Sequence, residues 1–130
     1  MIRRRTLILY CLAVALLTGA FAVWQTYKPQ TQAGGKIITV NIDHLEGADT
    51  TYTIRTEAEY LRGALEQENL VSGPETEYGL WVQSLDGETA DDALQQWWGY
   101  NVNGEMAAYG VDKQAITDGD VYDFTLNIGW

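Results

Sequence analysis

The sequence predicts an α+β domain with one main helix packed across a sheet of about five strands. Several segments carry apolar residues at every second position, which is the period of a half-buried strand. One segment carries them at helical spacing, and clusters of Gly, Asn, Asp and Pro separate the segments. A hairpin, then a helix, then further strands is an order typical of an α+β domain.

The first two strands are predicted to form a hairpin. Residues 37–44 place Ile38, Val40 and Ile42 on one face and polar residues on the other. Residues 51–55 alternate in the same way, and the connecting residues 46–49 are typical of a turn.

The main helix is predicted to begin at Thr56. Thr56 and Glu59 have the spacing of a capping box, in which each side chain bonds the other's backbone amide. Leu61 and Leu65 then fall on one apolar stripe, and residues 72–74 (Ser-Gly-Pro) mark the latest end of the helix.

The second half of the domain is predicted to supply the remaining strands. The last strand, 121–128, has the clearest alternation in the chain, and Asn103-Gly104 is a strong hairpin turn signal. The other elements are a strand at 78–84, a turn at 85–88, a short helical turn at 89–95, a strand at 97–102 and a turn at 118–120. Together the elements predict a β-grasp-like sheet.

The N-terminus predicts export. Arg3, Arg4 and Arg5 precede the uncharged stretch from Thr6 to Trp24, an apolar helix that is either a signal peptide cleaved after Ala22 or a membrane anchor. Because arginines favour the cytoplasmic side, the rest of the chain should lie outside the cytoplasmic membrane, anchored or secreted. Residues 25–36 have the composition of a flexible linker, so the predicted domain spans residues 37–130.

Charge and cysteine content exclude several functions. The net charge is −10, and all 18 acidic residues follow Gln25 together with only five basic ones. Nucleic acid is therefore excluded as a partner, because phosphate binding requires clustered Lys and Arg. Cys11 is the only cysteine and lies in the apolar stretch, so the exported part has neither a thiol nucleophile nor a disulfide.

The remaining polar residues predict no enzyme and no metal site. His44 ends a strand and is interpreted as solvated, with no role. Two pairs of carboxylates, Asp91-Asp92 and Asp118/Asp120, fit a helix start and a turn better than acid–base chemistry. We therefore expect a non-catalytic protein without a resident cofactor.

Aromatic residues are the main candidates for a binding site. Trp97 and Trp98 are neighbours on a strand, so their side chains should point to opposite faces of the sheet. An exposed indole suits a flat ligand or a protein partner, whereas a covered one is part of the core.

Residues 97–120 resemble a known family. Trp98-Gly99-Tyr100-Asn101-Val102-Asn103-Gly104, Gly110-Val111 and Asp118-Gly119-Asp120 are similar to bacterial domains related to the C-terminal domain of transcobalamin and intrinsic factor. The resemblance implies a ligand-binding or partner-docking module. Together with the predicted export, it leads us to expect an extracytoplasmic module that binds cobalamin, another corrinoid or another flat ligand. Trp97, Trp98, Tyr100 and Asn103 are the expected ligand contacts.

A second interpretation remains open from the sequence. The same aromatic residues or an exposed sheet edge would suit a cell-surface interaction or adhesion domain that docks a membrane or envelope protein.

Overall fold

The computed structural model describes residues 33–130. The predicted apolar helix, its cleavage site and all but the last four residues of the predicted linker therefore lie outside the described residues. The first strand begins at Lys36, one residue before the predicted domain start. In the part described, no helix is both long and apolar enough to cross a membrane.

The described chain contains ten strands, one α-helix and one 3₁₀ turn. The α-helix is α1 (Leu61–Gln67), and the 3₁₀ turn is Asp92–Leu94. The strands are β1 (Lys36–Asp43), β2 (Thr50–Thr56), β3 (Val71–Ser72), β4 (Glu75–Thr76), β5 (Gly79–Leu80), β6 (Ser84–Leu85), β7 (Glu88–Thr89), β8 (Gln96–Val102), β9 (Glu105–Met106) and β10 (Val121–Ile128).

The main sheet has five strands in the order β2-β1-β10-β8-β9. The central strands β1 and β10 are parallel, and each other neighbouring pair is antiparallel. The predicted α+β class and the five-stranded sheet are confirmed, and the β1–β2 hairpin is confirmed with them. The finer β-grasp-like description stays a prediction.

One face of the main sheet forms the core. The alternating residues of β1, β2 and β10 are buried there, and Leu61, Ala64 and Leu65 of α1 belong to the same cluster. The buried strand residues are Ile38, Val40, Ile42, Ile54, Tyr122, Phe124 and Leu126. Each large apolar side chain contributes about 1.5–3 kcal/mol on burial. We call this the inner face, and the opposite, mostly polar surface the outer face.

The predicted start of the helix is wrong. Thr56 is buried and ends β2 opposite Lys36, and its hydroxyl accepts from the amide of Ala58 (3.0 Å) rather than Glu59. The helix begins at Leu61, whose N–H donates to the carbonyl of Gln114 (2.9 Å). Tertiary contacts with the 110–116 segment thus replace the capping box, because strand pairing holds Thr56 in the sheet.

The predicted strand at 78–84 is also wrong. Only Gly79–Leu80 and Ser84–Leu85 are strands, and they belong to two different small ladders. Between the two strands, the N–H groups of Trp81 and Gln83 donate to the carbonyls of Pro74 and Ser72. The segment therefore runs along the chain that follows the helix instead of joining the main sheet.

The predicted turns lie where expected. Asn103 and Gly104 both have positive φ, at 50° and 84°, and so do Asp86 and Gly87 in the turn between β6 and β7. This is the backbone conformation that two-residue hairpins require. The helical turn predicted at 89–95 is the shorter 3₁₀ turn, with the Asp91 carboxylate accepting from the amide of Ala93 (3.0 Å).

Candidate functional site

An apolar groove opens where β8 meets the segments 80–82 and 110–111. Its volume is about 700 Å³, and we call it the aromatic groove. Asp92 is the one charged residue among those that line it. The side chains that shape it are Leu80, Trp81, Val82, Trp98, Tyr100, Phe124 and Trp130.

Tyr100 lies on the inner face of β8 and is fixed in place on two sides. Its ring stacks on Phe124, with centroids 4.9 Å apart and planes 22° apart. Its hydroxyl donates to the carbonyl of Tyr109 (2.5 Å), and burial raises its pKa to about 12. The phenol is therefore neutral at physiological pH, and its ring presents a fixed surface to the groove.

Trp98 is the most buried of the groove's tryptophans, at 9% exposure. Its Nε1–H donates to the carbonyl of Glu88 (3.2 Å), which ties β8 to the β6–β7 hairpin. The ring of His44 lies perpendicular to it, with centroids 6.0 Å apart. A tryptophan held by a hydrogen bond and by a perpendicular ring contact is a rigid part of the groove wall.

Trp97 also lines the groove, but its side chain lies on the outer face, as the strand alternation predicts. It is 37% exposed, and its Nε1–H donates to the carbonyl of Gly129 (2.8 Å). The structure thus brings three of the four predicted site residues, Trp97, Trp98 and Tyr100, to the groove.

Asn103 does not lie at the groove. It occupies the β8–β9 turn, where its Nδ2 donates to Asp120 Oδ1 (3.0 Å) and its Oδ1 accepts from the amide of Val121 (2.8 Å). Both polar atoms of its side chain therefore serve the turn, and a ligand contact by Asn103 stays a prediction.

Trp81 and Trp130 line the groove but were not among the predicted contacts. Trp81 is 53% exposed and belongs to the segment that was predicted as a strand. Aromatic content was the only sequence feature that pointed to these two residues, because the periodicity of each segment does not show that Trp81 and Trp130 lie near β8.

An ionic network supports the groove wall. Asp112 Oδ1 accepts from the amide of Leu80 (2.9 Å), and its Oδ2 accepts from Arg62 Nη1 (2.7 Å). Arg62 also bonds Glu66 and Glu75, so one guanidinium joins α1 and β4 to the wall that carries Leu80. Burial opposes ionisation of Asp112, yet the bonds from Leu80 and Arg62 lower its pKa.

The interpretation of His44 as a solvated residue is wrong. Its side chain is only 9% exposed, with Nε2 2.8 Å from Asp86 Oδ2 and Nδ1 3.1 Å from Glu88 Oε1. The hydrogen bond with Asp86, supported by Glu88, raises the pKa of His44. Residue spacing could not show this, because both carboxylates come from a hairpin more than 40 residues away.

The two carboxylates beside His44 have further partners of their own. Thr50 and Tyr52 donate hydroxyls to Asp86, and the amides of Leu45 and Glu46 donate to Glu88. Burial raises the pKa of both acids, but these bonds outweigh it and lower both. Across residues 33–130, no group of three or more His, Cys, Asp and Glu side chains is placed to hold a metal ion.

The other acidic pairs have structural partners. Asp91 caps the 3₁₀ turn, Asp118 accepts from the amide of Ile37 (2.7 Å), and Asp120 accepts from Tyr122 Oη (2.8 Å). Their placement agrees with the helix-start and turn roles expected from the sequence.

Comparison with known proteins finds a family and two informative structures. A family model described as "Domain of unknown function (DUF4430)" matches residues 58–127. A crystal structure of a protein from Ruminococcus gnavus, described as a candidate metal binding protein, matches with a TM-score of 0.70 and 41% sequence identity. The match covers 73% of this chain and 99% of that chain. No curated protein matches.

The second structure is haptocorrin in complex with Cbi. It matches with a TM-score of 0.64 and 10% identity, over 76% of this chain and 26% of that chain. At this identity the match shows a shared fold alone. The chain therefore corresponds to about a quarter of haptocorrin.

Proposed function

The chain belongs to the family described as "Domain of unknown function (DUF4430)", and from that premise we propose that it is a non-catalytic module that binds a flat small ligand in the aromatic groove. The resemblance to transcobalamin-like domains is confirmed by the family and structure matches. The observation that carries the proposal is the groove itself.

The groove has the size and chemistry of a small-ligand site. Its volume of about 700 Å³ lies within the range typical of ligand pockets, roughly 300–1,000 Å³. The rings of Trp81, Trp98 and Tyr100 supply apolar walls for a planar ligand to stack on. Asp92 would orient a polar substituent at the rim.

A corrinoid is the flat ligand that we propose first. Haptocorrin, which shares the fold, is recorded in complex with Cbi, and a corrinoid ring is broad and flat. Trp98 and Tyr100 would contact it with their rings, Trp97 would border it, and Trp81 and Trp130 would extend the stacking surface. Corrinoids are larger than most groove ligands, so part of the ring would stay outside the groove.

The metal binding described for the Ruminococcus relative is not proposed for this chain. In the strongest local cluster, each imidazole nitrogen of His44 faces a different carboxylate, Nε2 that of Asp86 and Nδ1 that of Glu88. Within residues 33–130, no three His, Cys, Asp or Glu side chains are placed together to hold a metal ion.

We also propose that the module acts outside the cytoplasmic membrane. Arg3, Arg4 and Arg5 followed by the apolar stretch support this placement, and a linker at 25–36 would keep the groove close to the membrane if the stretch is retained.

Tryptophan fluorescence tests the proposal. The full chain in mild detergent is titrated with cobalamin and with cobinamide, and free N-acetyltryptophanamide corrects for light absorbed by the corrinoid. We expect saturable quenching beyond that correction. Correctly folded protein that shows no quenching beyond the correction contradicts the corrinoid assignment.

A further inference from the structure

A second depression lies on the outer face of the sheet, behind the aromatic groove. It has a volume of about 460 Å³ and includes Trp97, Asn101, Met106, Tyr109, Asp123 and Asn127 among its lining residues. We call it the outer platform. Apart from the β8 residues 97, 98 and 100, it shares no lining residue with the aromatic groove.

The indole of Trp97 forms one side of the outer platform. A Cβ built on Gly99 would lie 2.7 Å from Trp97 Cζ3, so the ring rests directly over the glycine. The bond from its Nε1–H to the carbonyl of Gly129 fixes the ring in this position. One ring face therefore packs on the strand, and the other is available to a ligand.

Tyr109 and Met106 form the opposite side. They are 61% and 86% exposed, although both side chains are large and apolar. The Tyr109 carbonyl is bonded by Tyr100, so the backbone beneath this side of the platform is fixed while the Tyr109 ring remains open.

The edge of β8 adds backbone groups to the platform. In an antiparallel pair, the backbone N–H and C=O groups of alternate residues bond the partner strand. Gly129 N–H donates to Gln95 O, and Asn103 N–H donates to Val121 O, so the backbone groups of the odd-numbered residues of β8 point to β10. The backbone groups of Trp98 and Tyr100 therefore point away from β10. Strand β9 pairs only Asn101 and Val102, so the N–H and C=O of Trp98 point to the open edge.

Side-chain polar groups surround the aromatic rings. Asp123 Oδ1 accepts from Asn41 (2.8 Å) and Asn127 Nδ2 donates to the carbonyl of Thr125 (3.0 Å), which leaves the second polar atom of each side chain to a ligand. Asn101 makes no side-chain hydrogen bond within residues 33–130 and is exposed. No Lys, Arg or His lines the platform.

We propose that the outer platform binds a neutral saccharide. A sugar ring combines an apolar C–H face, which would stack on Trp97 or Tyr109, with hydroxyls that would pair with Asn101, Asp123 and Asn127. Asp123 and the overall charge of −10 disfavour an anionic ligand, and no lysine or arginine would offset that repulsion. The amides and the carboxylate require a ligand that both donates and accepts, as a polyol does.

An extended peptide fits the same edge less well. Adding a strand requires a row of free backbone groups. Here the Gln96 N–H already donates to the carbonyl of Asp91, and the Tyr100 carbonyl already accepts from the N–H of Ala107. The free stretch at Trp98 is shorter than an ordinary strand of about five residues. A compact ligand that uses one or two of these groups is therefore favoured.

Affinity electrophoresis tests the inference. The full chain in mild detergent is run in native gels that contain starch, galactomannan, xylan or mixed-linkage β-glucan, and its migration is compared with that in a plain gel. We expect retardation in at least one gel, reversed by the matching free oligosaccharide. Retardation in none of them, or retardation that the oligosaccharide does not reverse, overturns the proposal.

Three variants locate the binding. Trp97→Ala and Tyr109→Ala should weaken retardation about tenfold, because each removes a stacking surface. Tyr78→Ala, at an exposed tyrosine outside the outer platform, is the matched control and should migrate like the wild type. Retardation unchanged in Tyr109→Ala overturns the proposal even if Trp97→Ala disturbs the fold. Because Tyr109 does not line the aromatic groove, corrinoid binding should persist in that variant, which separates failure here from failure of the proposed function.

Discussion

The ring of His44 stands edge-on to the indole of Trp98, with centroids 6.0 Å apart and planes at 90°. His44 also bonds Asp86 and Glu88, and the carbonyl of Glu88 accepts from Trp98 Nε1. The histidine cluster and the wall of the aromatic groove are therefore one packed unit that joins the β1–β2 hairpin, the β6–β7 hairpin and β8.

The charge of His44 should make stability depend on pH. The pKa of His44 is raised in the folded state. Its contribution to the free energy of unfolding is therefore fully present below the unfolded-state pKa of about 6.5 and is lost as pH rises through the folded-state pKa. Neutral imidazole has one donor for two carboxylates, which explains the loss. We expect the urea concentration at the unfolding midpoint to decrease as pH rises above about 6.5.

Variants separate His44 from the other groups. Glu88 and Asp86 have lowered pKa values, so their contributions are present above about pH 4 and are lost in acid. They do not titrate in the window where His44 does. His44→Gln should remove the decline above about pH 6.5, and a decline of equal size in that variant would rule out His44 as its source.

Arg62→Lys should destabilise the domain and weaken the groove wall. A single ammonium cannot reproduce the bonds to Glu66, Glu75 and Asp112 at once, so at least one of these carboxylates loses its charged partner. Chemical denaturation should show a loss of about 1–2 kcal/mol. Arg55→Lys, at an exposed arginine whose side chain forms no ion pair within residues 33–130, is the matched control; an equal loss there would contradict the role assigned to the network.

Asn103 should prove to be a turn residue. Asn103→Ala removes the bonds to Asp120 and Val121 and places a Cβ-bearing residue without a polar side chain at φ 50°, so we expect a loss of about 1–3 kcal/mol in thermal unfolding. Asn103→Gly removes the same bonds without the backbone penalty and should lose less. Corrinoid affinity should be unchanged in Asn103→Gly, and a clear drop in affinity would instead support the predicted ligand contact.

Gly99→Ala should displace Trp97. The added Cβ would lie 2.7 Å from Trp97 Cζ3 and 3.1 Å from Asn127 Nδ2, so the indole must leave its place on the strand. We expect a loss of about 1–3 kcal/mol and a red-shifted fluorescence spectrum. Gly110→Ala, where a Cβ meets nothing within 4 Å, is the control and should show neither change.

The sequence predicted those parts of the fold that local chemistry determines. β10 alternates because its apolar residues face one core, and Asn103-Gly104 turns because both residues tolerate positive φ. Thr56 was misread because a capping box and a buried strand end share the same residue type. Only the pairing with Lys36 distinguishes the two.

The candidate site was predictable only in its β8 part. Trp97, Trp98 and Tyr100 share one strand, so their proximity follows from the sequence. Trp81 and Trp130 reach the groove from distant segments, and His44 meets its carboxylates across more than 40 residues. Such contacts depend on tertiary packing, which the periodicity of a single segment does not encode.

Isothermal titration of cobalamin against matched groove variants tests the central proposal most directly. Trp81→Ala removes an exposed ring from the aromatic groove, whereas Tyr78→Ala removes one from outside it, three residues away. We predict saturable binding to the wild type and to Tyr78→Ala, with affinity about tenfold lower in Trp81→Ala. Equal affinity in all three proteins, or no binding to the folded wild type, would contradict corrinoid binding in the groove.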